Sequence, residues 1–308
     1  MLGPVLLAAA RSDGIRRLVT ASPLTRPVVG RFVAGERLPE SLAVAARLAG
    51  GGLRVTLDHL GENVTGRAEA LRGRDACLAL AEALAATGLG ERAELSVKLS
   101  ALGRALPGGE DLAAEHALRV AEAAGAAGTA LTLDMEDHTA TALTLDVHAR
   151  LRERFPATGV AVQSYLRRTE EDCLALAAAG ARVRLVKGAY REPPAVAFQE
   201  RAAVDRSFVR CLRILMAGPG YPMVATHDPR LIALAGALAA RLGRAEDAYE
   251  YQMLYGIRPD EQRRLAAAGR RVRVYIPYGT DWYGYFMRRL AERPANLAFF
   301  LRSAATRG

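Results

Sequence analysis

Residues 130–135 read ALTLDM, a short β-like run that ends around the acidic Asp134. Successive side chains of a strand point to opposite faces, so Leu131 and Leu133 would share one face and Asp134 would lie on the other. Seven further segments combine an apolar β-like run with a polar end, and they are residues 53–57, 95–99, 160–165, 183–187, 223–226, 249–253 and 272–275. Eight runs of this kind predict eight strands.

The ends of the eight runs carry reactive side chains. In chain order these are Asp58 with Glu62, Lys98, Asp134, Gln163, Arg184 with Lys187, Thr226 with His227, Gln252, and Tyr275. Stretches rich in Ala, Leu, Arg and Glu separate the runs and have the composition of helices. This alternation predicts an α/β fold of the (β/α)8 TIM-type barrel class, in which active sites lie at the carboxyl ends of the strands.

The first 50 residues differ from the rest because they contain no strand-like run. Prolines at positions 4, 23, 27 and 39 indicate turns or helix starts, and three glycines at 50–52 indicate a loop into the first strand. We therefore predict an N-terminal helical extension over residues 1–50 and a catalytic barrel over residues 51–308. The apolar residues 1–10 have no basic residue before them and are too few to span a bilayer, which favours a buried helix over a signal peptide.

The chain of 308 residues is strongly basic, with a formal net charge of +9 and a pI near 9.9. Such a charge attracts nucleic acid or an anionic membrane surface. The basic residues are scattered rather than gathered into an aromatic-studded stripe, so a solvated surface explains them better than nucleic-acid binding does. Cys77, Cys173 and Cys211 form no CxxC pair and leave an odd count, which favours reduced thiols over a disulfide framework or a cysteine metal site.

Lys98 and Asp134 are the strongest candidates for chemistry on the strands. In residues 95–99 the apolar side chains again oppose the charged one, so both charged groups can point into the barrel mouth. An internal salt bridge that only closes the barrel is the alternative interpretation. The two interpretations are compatible, because an ion pair of this type can also shape a site.

Two strand-to-helix loops are candidate binding segments. Gly188 and Ala189 follow Lys187 with little side-chain bulk, so their backbone amides would suit an anionic cofactor group, although an ordinary turn has the same composition. In the second loop, Asp228 and Pro229 are typical of a helix cap and first turn. His227, which precedes them, is better interpreted as a hydrogen-bond partner than as a metal ligand.

A metal site at Asp134, Glu136, Asp137 and His138 is not favoured. The four potential ligands fall within five residues, but side chains on a strand that runs into a loop alternate in direction and cannot all converge. We predict that the protein has no metal site.

Arg288 and Arg289 fall in the helix expected after the eighth strand. An arginine pair near the barrel mouth offers forked donors for a small carboxylate, with Tyr275 and Tyr285 able to flank the same pocket. The alternative is a pair of solvated surface arginines.

Taken in order, the segments at the strand ends resemble the proline dehydrogenase family from about residue 30 to the C-terminus. The motifs are Leu60-Gly61-Glu62, Ser96-Val97-Lys98-Leu99, Leu133-Asp134-Met135-Glu136, Gln163-Ser164-Tyr165, Arg184-Leu185-Val186-Lys187-Gly188-Ala189-Tyr190, Ala225-Thr226-His227-Asp228, Tyr251-Gln252-Met253-Leu254-Tyr255-Gly256, Tyr275-Ile276-Pro277-Tyr278-Gly279 and Arg288-Arg289. Each motif is weak alone, but nine in this order are a specific combination.

The resemblance implies a distorted (β/α)8 barrel that binds FAD without covalent attachment. The implied reaction is oxidation of L-proline to 1-pyrroline-5-carboxylate, the first step of proline degradation to glutamate, with electrons passed to a membrane quinone. It also implies a cytoplasmic protein, peripheral at the inner face of the cytoplasmic membrane, that is functionally coupled to a separate pyrroline-5-carboxylate dehydrogenase. We expect no aldehyde dehydrogenase domain in a chain of 308 residues, and no nucleic-acid partner.

The resemblance also assigns roles to individual residues. It implies that Arg288 and Arg289 hold the proline carboxylate, that Lys98 and Asp134 form the pocket floor, and that Tyr275, Tyr285 and Leu254 pack around the ring. Asp134, Arg184 and Tyr275 become the catalytic candidates, and Glu62 a gating carboxylate that pairs with Arg288. The residues implied to line the flavin are Met135, Gln163, Arg184, Lys187, Gly188, Ala189, Tyr190, Thr226, His227, Gln252 and Glu292.

Two hypotheses from other classes stay open at this point. One is an aldolase or lyase that uses Lys98 or Lys187 as a Schiff-base lysine, because barrel lysines at strand ends can do this. The other is a basic, non-enzymatic protein that binds a membrane or nucleic acid, for which the sequence offers charge alone.

Overall fold

The structure, a computed structural model, describes residues 29–61 and 64–292. Within these residues, eight parallel strands pair in chain order and close into a barrel. Strands β1 to β8 are Arg54–His59, Ala93–Val97, Ala130–Leu133, Gly159–Gln163, Arg182–Val186, Tyr221–Ala225, Glu250–Leu254 and Val272–Tyr278. The predicted (β/α)8 class is therefore confirmed.

Helices alternate with these strands. Those of the described residues, α1 to α9, are Leu38–Gly50, Arg67–Thr87, Gly109–Ala126, Thr141–Arg154, Thr169–Ala178, Arg201–Ala217, Pro229–Arg241, Pro259–Ala267 and Trp282–Glu292, with short 3-10 helices at Gly90–Arg92 and His138–Ala140. The apolar faces of α1 to α8 pack on the outside of the barrel and form one continuous core with it, whereas α9 packs in a separate apolar cluster.

Every predicted run overlaps an observed strand, and the largest difference is at β8. This strand continues three residues beyond the predicted end at Tyr275 and pairs with β1 as far as His59 opposite Tyr278. Pro277 lies inside the observed strand although it has no N–H to donate to the ladder. Its carbonyl is nevertheless used, since it accepts a hydrogen bond from the amide of Ala34 at 2.9 Å.

Helix α1 falls within the predicted extension and packs against β1 and β8. Residues 1–28, which include the helix predicted for 1–10, lie outside the described residues. The division of the chain at residue 50 stays a prediction.

The segment 29–36 packs against α9, the helix that carries the arginine pair. Phe32 lies in a buried apolar cluster with Trp282 and Phe286. The indole Nε1 of Trp282 donates to Glu36 Oε1 at 2.9 Å, and the amide of Gly279 donates to the carbonyl of Gly35 at 3.0 Å. These contacts hold the start of α9 against the barrel and so fix the direction in which the helix runs.

The three cysteines are free thiols, and all are buried. Over residues 29–61 and 64–292, no helix combines the length and the apolar composition that crossing a membrane requires.

Candidate active site

A cavity of about 1490 Å³ opens at the carboxyl ends of the strands. Its lining contains every predicted site residue except two. The residues brought together are Lys98, Asp134, Met135, Gln163, Arg184, Lys187, Gly188, Ala189, Tyr190, Thr226, His227, Gln252, Leu254, Tyr275, Tyr285, Arg288 and Arg289. Glu62 lies outside the described residues, and Glu292 ends α9 without a described side chain.

Asp134 is the centre of the polar contacts in the cavity. Its carboxylate accepts hydrogen bonds from Ser96 Oγ at 2.7 Å, Tyr275 Oη at 2.6 Å and Arg184 Nη1 at 2.5 Å. Lys98 Nζ lies 3.5 Å from Oδ2. Burial would raise the pKa of Asp134, but the charges of Arg184 and Lys98 outweigh it and hold this pKa below its usual range. Asp134 is therefore ionised at neutral pH.

Lys98 lies between two carboxylates. Its ammonium is 3.0 Å from Asp58 Oδ2 and 3.5 Å from Asp134 Oδ2, and Asp58 is almost fully buried. The Lys98 and Asp134 side chains are ion-paired and also line the cavity, a geometry compatible with either interpretation of the pair.

The Arg184 guanidinium is buried and bonded on all sides. Nε donates to Gln252 Oε1 at 2.6 Å, while Nη1 donates to Ser96 Oγ at 2.9 Å as well as to Asp134. Nη2 donates to Glu94 Oε1 at 2.9 Å. Four strands thus contribute to one rigid cation in the cavity wall.

Tyr275 connects the last strand to this cluster. Its hydroxyl donates to Asp134, and its ring centroid lies 5.3 Å from Arg184 Cζ, which is within range of a cation–π contact. Burial, and secondarily the nearby Asp134 carboxylate, raise the pKa of Tyr275 well above its usual value. The phenol therefore stays protonated and acts as a donor.

The loop after β5 makes a tight approach to the loop after β4. Gly188 has a φ of +131°, and a Cβ at this position would lie 2.4 Å from the Tyr165 ring. The amide of Ala189 donates to Gln163 Oε1 at 3.3 Å, so one of the two amides considered for an anionic group already has a partner. Only glycine permits this path of the backbone past Tyr165.

Lys187 extends into the cavity from the same loop. Its ammonium lies 2.5 Å from Asp205 Oδ1 and 3.5 Å from Asp228 Oδ2. Lys98 and Lys187 are the two lysines of a chain with 42 Lys and Arg residues, and both line this cavity. All other basic side chains of the chain are arginines, so these two positions carry its two compact lysine ammonium groups.

The loop after β6 has the predicted construction. Asp228 caps α7 by accepting a hydrogen bond from the amide of Arg230 at 3.0 Å, and Pro229 is the first residue of the helix. His227 Nε2 accepts a hydrogen bond from the amide of Leu254 at 3.0 Å. The predicted cap and the predicted hydrogen-bond role of His227 are both confirmed.

The four acidic and histidine residues after β3 bond to separate partners. Asp134 bonds to Arg184, and Glu136 accepts from the amide of Ser100 at 3.0 Å. Asp137 caps the following 3-10 helix, and His138 bonds to Glu192. In the described ranges, no group of three or more His, Cys, Asp and Glu residues is arranged to hold a metal ion.

Arg288 and Arg289 lie on α9 and face the cavity, partly buried. Arg289 Cζ is 5.2 Å from the centroid of the buried Tyr285 ring. This position differs from that of a solvated surface pair, and it places two guanidinium groups at one side of the cavity.

Several cavity residues were not assigned a role by sequence reasoning. Asp58 was noted as a strand end, and its signal was the polar termination of the first run. Asp205 on α6 and Glu192 in the preceding loop contact Lys187 and His138, yet they follow no strand. Glu94 lies outside the cavity lining but bonds to Arg184, and its position within β2 gives no indication of a partner 90 residues away.

Comparisons with known proteins agree with this geometry. The sequence profile of the proline dehydrogenase family matches residues 41–302. Proline dehydrogenase 1 of Bacillus subtilis (strain 168) is 40% identical over 302 residues, which cover 98% of this chain and 98% of that protein. Proline dehydrogenase of Deinococcus radiodurans is 41% identical over 275 residues, or 88% of each chain.

A solved structure shows the same barrel. Proline utilization A (PutA) of Bdellovibrio bacteriovorus, inactivated by N-propargylglycine, superposes with a TM-score of 0.81 at 25% identity. The match covers 98% of this chain and 37% of that longer chain. Because the family profile spans most of the sequence and full-length relatives align nearly end to end, the chain belongs to the proline dehydrogenase family.

Proposed function

We propose that this protein catalyses the FAD-dependent oxidation of L-proline to 1-pyrroline-5-carboxylate and passes the electrons to a membrane quinone. The observation that carries the proposal is the convergence of the α9 arginine pair and the Lys98, Asp134 and Arg184 cluster on one cavity. The pair would bind a small carboxylate, and the cluster supplies fixed charges beside it.

The residues present fit a flavin dinucleotide. The cavity of about 1490 Å³ exceeds the roughly 300–1,000 Å³ of ordinary ligand pockets, which leaves room for a dinucleotide together with a small substrate. Gly188 lines the cavity and lets the backbone pass close to Tyr165, where a Cβ would clash with the ring. None of the three cysteines lines the cavity, which is consistent with non-covalent binding.

The residues that would hold the flavin belong to the loops after β3 to β7. They are Met135, Gln163, Arg184, Lys187, Gly188, Ala189, Tyr190, Thr226, His227 and Gln252, with Glu292 proposed from the family resemblance. A bound flavin would supply the acceptor for the hydride that leaves C5 of proline.

The chain itself contributes binding, orientation and electrostatics. Arg288 and Arg289 would bind the carboxylate, and Glu62 would pair with Arg288 to close the site. Tyr275, Tyr285 and Leu254 would pack around the ring, so that it is held in one reactive orientation above Lys98 and Asp134. Arg184 would provide a fixed positive charge for the negative charge that a bound flavin gains on reduction. Tyr275 stays protonated and donates its hydroxyl hydrogen bond to the ionised Asp134.

The quinone, the membrane and the downstream enzyme are part of the same proposal. A net charge of +9 supports peripheral contact with an anionic membrane surface at the inner face of the cytoplasmic membrane. Coupling to a separate pyrroline-5-carboxylate dehydrogenase is supported by relatives such as the bifunctional protein PutA of Escherichia coli, which is 27% identical and of which this chain covers 26%.

Neither alternative hypothesis gains support from the site. A Schiff-base lysine is usually desolvated in an apolar pocket or placed beside another cation. Lys98 and Lys187 instead each contact two carboxylates. Family membership also sets aside a non-enzymatic binding protein.

Colour tests the proposed function directly. The protein purified with FAD should be yellow, anaerobic L-proline should bleach the flavin absorption, and a soluble quinone should restore it. D-Proline is the matched control, because its carboxylate cannot reach the arginine pair while C5 keeps the same position. A protein that stays colourless after incubation with FAD, or a bound flavin that L-proline does not reduce, would contradict the proposal.

Lys187→Ala should weaken FAD retention by about ten-fold or more, because a charge-assisted hydrogen bond is worth about 1.5–3 kcal/mol. The change also leaves Asp205 and Asp228 without the ammonium between them. Titration of FAD into the apoprotein measures the effect. Arg210→Ala, which removes a cation from the exposed side of α6, is the control. A Lys187→Ala protein that binds FAD as tightly as its parent would contradict the role of this residue.

A further inference from the structure

Beneath the cavity, the barrel interior contains a layer of buried charged side chains. Glu94, Arg184, Glu250 and Arg273 are each no more than 4% exposed. Burying a charge costs several kcal/mol unless it is paired and hydrogen-bonded. A barrel that only needed to be filled would use branched apolar residues here. The layer therefore calls for an explanation beyond packing.

Glu94 on β2 is the carboxylate of this layer that bonds directly to Arg184 in the cavity wall. Its Oε1 accepts hydrogen bonds from Thr56 Oγ1 at 2.7 Å and from Arg184 Nη2 at 2.9 Å, and its Oε2 accepts from Arg182 Nη2 at 3.0 Å. Burial would raise the pKa of Glu94, but Arg273, Arg182 and Arg184 outweigh it and lower this pKa to about 2. Glu94 is thus a fixed negative charge.

Arg184 is held between two carboxylates. Asp134 binds Nη1 from the cavity side, and Glu94 binds Nη2 from the interior. Gln252 accepts from Nε, and Ser96 accepts from Nη1. If the interior carboxylate were lost, the guanidinium could turn about its bonds toward Asp134, and its positive charge would be balanced from one side only.

We infer that Glu94 is a positioning residue for the reaction. Its carboxylate orients the Arg184 guanidinium and limits the positive charge that the barrel interior presents to the flavin. The inference rests on the proposed function, because Arg184 acts on a flavin only if one is bound. It concerns a residue that lies outside the cavity lining and does not touch substrate or cofactor.

Glu94→Gln tests the inference, with Glu250→Gln as the matched control. Glu250 is equally buried and bonds to Arg273 at 2.7 Å, and it makes no direct contact with Arg184. It also accepts a hydrogen bond from Gln252 Nε2 at 2.6 Å, which the amide oxygen of the glutamine variant can retain. Both variants remove one buried negative charge from the same layer, so a purely structural role predicts similar effects. Thermal unfolding of both proteins reports any loss of stability.

The decisive readouts are the reduction potential of the bound flavin and the separation of kcat from KM. In Glu94→Gln the reduction potential of the flavin should become more positive, because the less balanced Arg184 cation stabilises the reduced flavin anion. The kcat should fall about ten-fold because the Arg184 guanidinium loses its orientation, while the proline KM stays within about three-fold. Glu250→Gln should leave the potential and kcat near those of the parent. An unchanged potential in Glu94→Gln, or equal changes in both variants, would overturn the inference.

Glu94→Asp separates the effect on the orientation of Arg184 from the effect of the negative charge. It also replaces Glu94→Gln as the test if the glutamine variant does not fold. The shorter side chain keeps the charge but withdraws the carboxylate from Arg184, so kcat should fall while the potential stays near the parent value. A parent-like kcat in Glu94→Asp would contradict the positioning role. If the parent protein takes up no flavin, both the proposed function and this inference are wrong. If proline reduces the flavin of the parent, the proposed function stands and the variants test the inference alone.

Discussion

Replacing Arg289 with methionine should raise the KM for proline by about two orders of magnitude and leave FAD bound. Removing one partner of a desolvated charge pair costs about 2–5 kcal/mol, and each 1.4 kcal/mol is a factor of about ten. Methionine keeps much of the length and the apolar packing against Tyr285, whose ring lies 5.2 Å from Arg289 Cζ. Steady-state kinetics with varied proline, together with the flavin absorption of the purified variant, measure both effects.

Arg150→Met is the matched control for this substitution. Arg150 is on α4, has a half-exposed side chain and pairs with Asp146 at 2.9 Å, away from the cavity. Its replacement removes the same charge from the molecule and should leave KM unchanged. A near-normal KM in Arg289→Met, or an equal increase in both variants, would remove Arg289 from the carboxylate site.

The barrel could be predicted from the sequence because each apolar run is followed by polar or charged residues, which mark where the strand ends. The run that closes at Asp134 changes from apolar to acidic just where the observed strand stops at Leu133. In a parallel barrel such ends meet at one rim, so local patterns were enough to bring Lys98, Asp134 and Gln163 together. Strand β8 shows the limit of this reasoning, because it continues three residues beyond the predicted end at Tyr275.

The arginine pair required a different source of information. In a chain with 42 Lys and Arg residues, helical arginines carry little signal, and the resemblance to a family distinguished Arg288 and Arg289 from the rest. The scarcity of lysine was a signal available in the composition. Both lysines of the chain prove to line the cavity, where each contacts two carboxylates.

Glu94 and Asp205 could not be found in this way. Glu94 lies within a strand, and its bond to Arg184 spans 90 positions of the sequence. In the sequence, Asp205 resembles any solvent-exposed acidic residue of a helix. Only the fold brings it within 2.5 Å of Lys187 Nζ. Such pairings depend on barrel closure and on side-chain direction, neither of which leaves a periodic trace in the sequence.

Asp134→Ala should be the most destabilising single change in the site. It would leave Lys98 and Arg184 buried without the carboxylate that they share, and breaking a buried pair by removing one partner costs about 3–5 kcal/mol. Asp134→Asn keeps the shape but not the charge, so a smaller loss of stability and a loss of kcat are expected. Urea unfolding measures the free energy of unfolding, and Asp146→Asn, an exposed i,i+4 pair with Arg150, should change it by less than about 0.5 kcal/mol.

The pH dependence of the Asp134→Asn effect provides a second test. Because the pKa of Asp134 is lowered in the folded protein, its stabilising contribution is complete above the pKa of the unfolded chain, about 3.9, and is lost as the pH falls through the folded pKa. The difference in unfolding free energy between the parent and Asp134→Asn should therefore be constant from neutral pH to about 5 and shrink below about 4. A difference that is the same at pH 3 and pH 7 would mean that the ionised carboxylate is not what stabilises the cluster, and that Asp134 acts through packing or neutral hydrogen bonds instead.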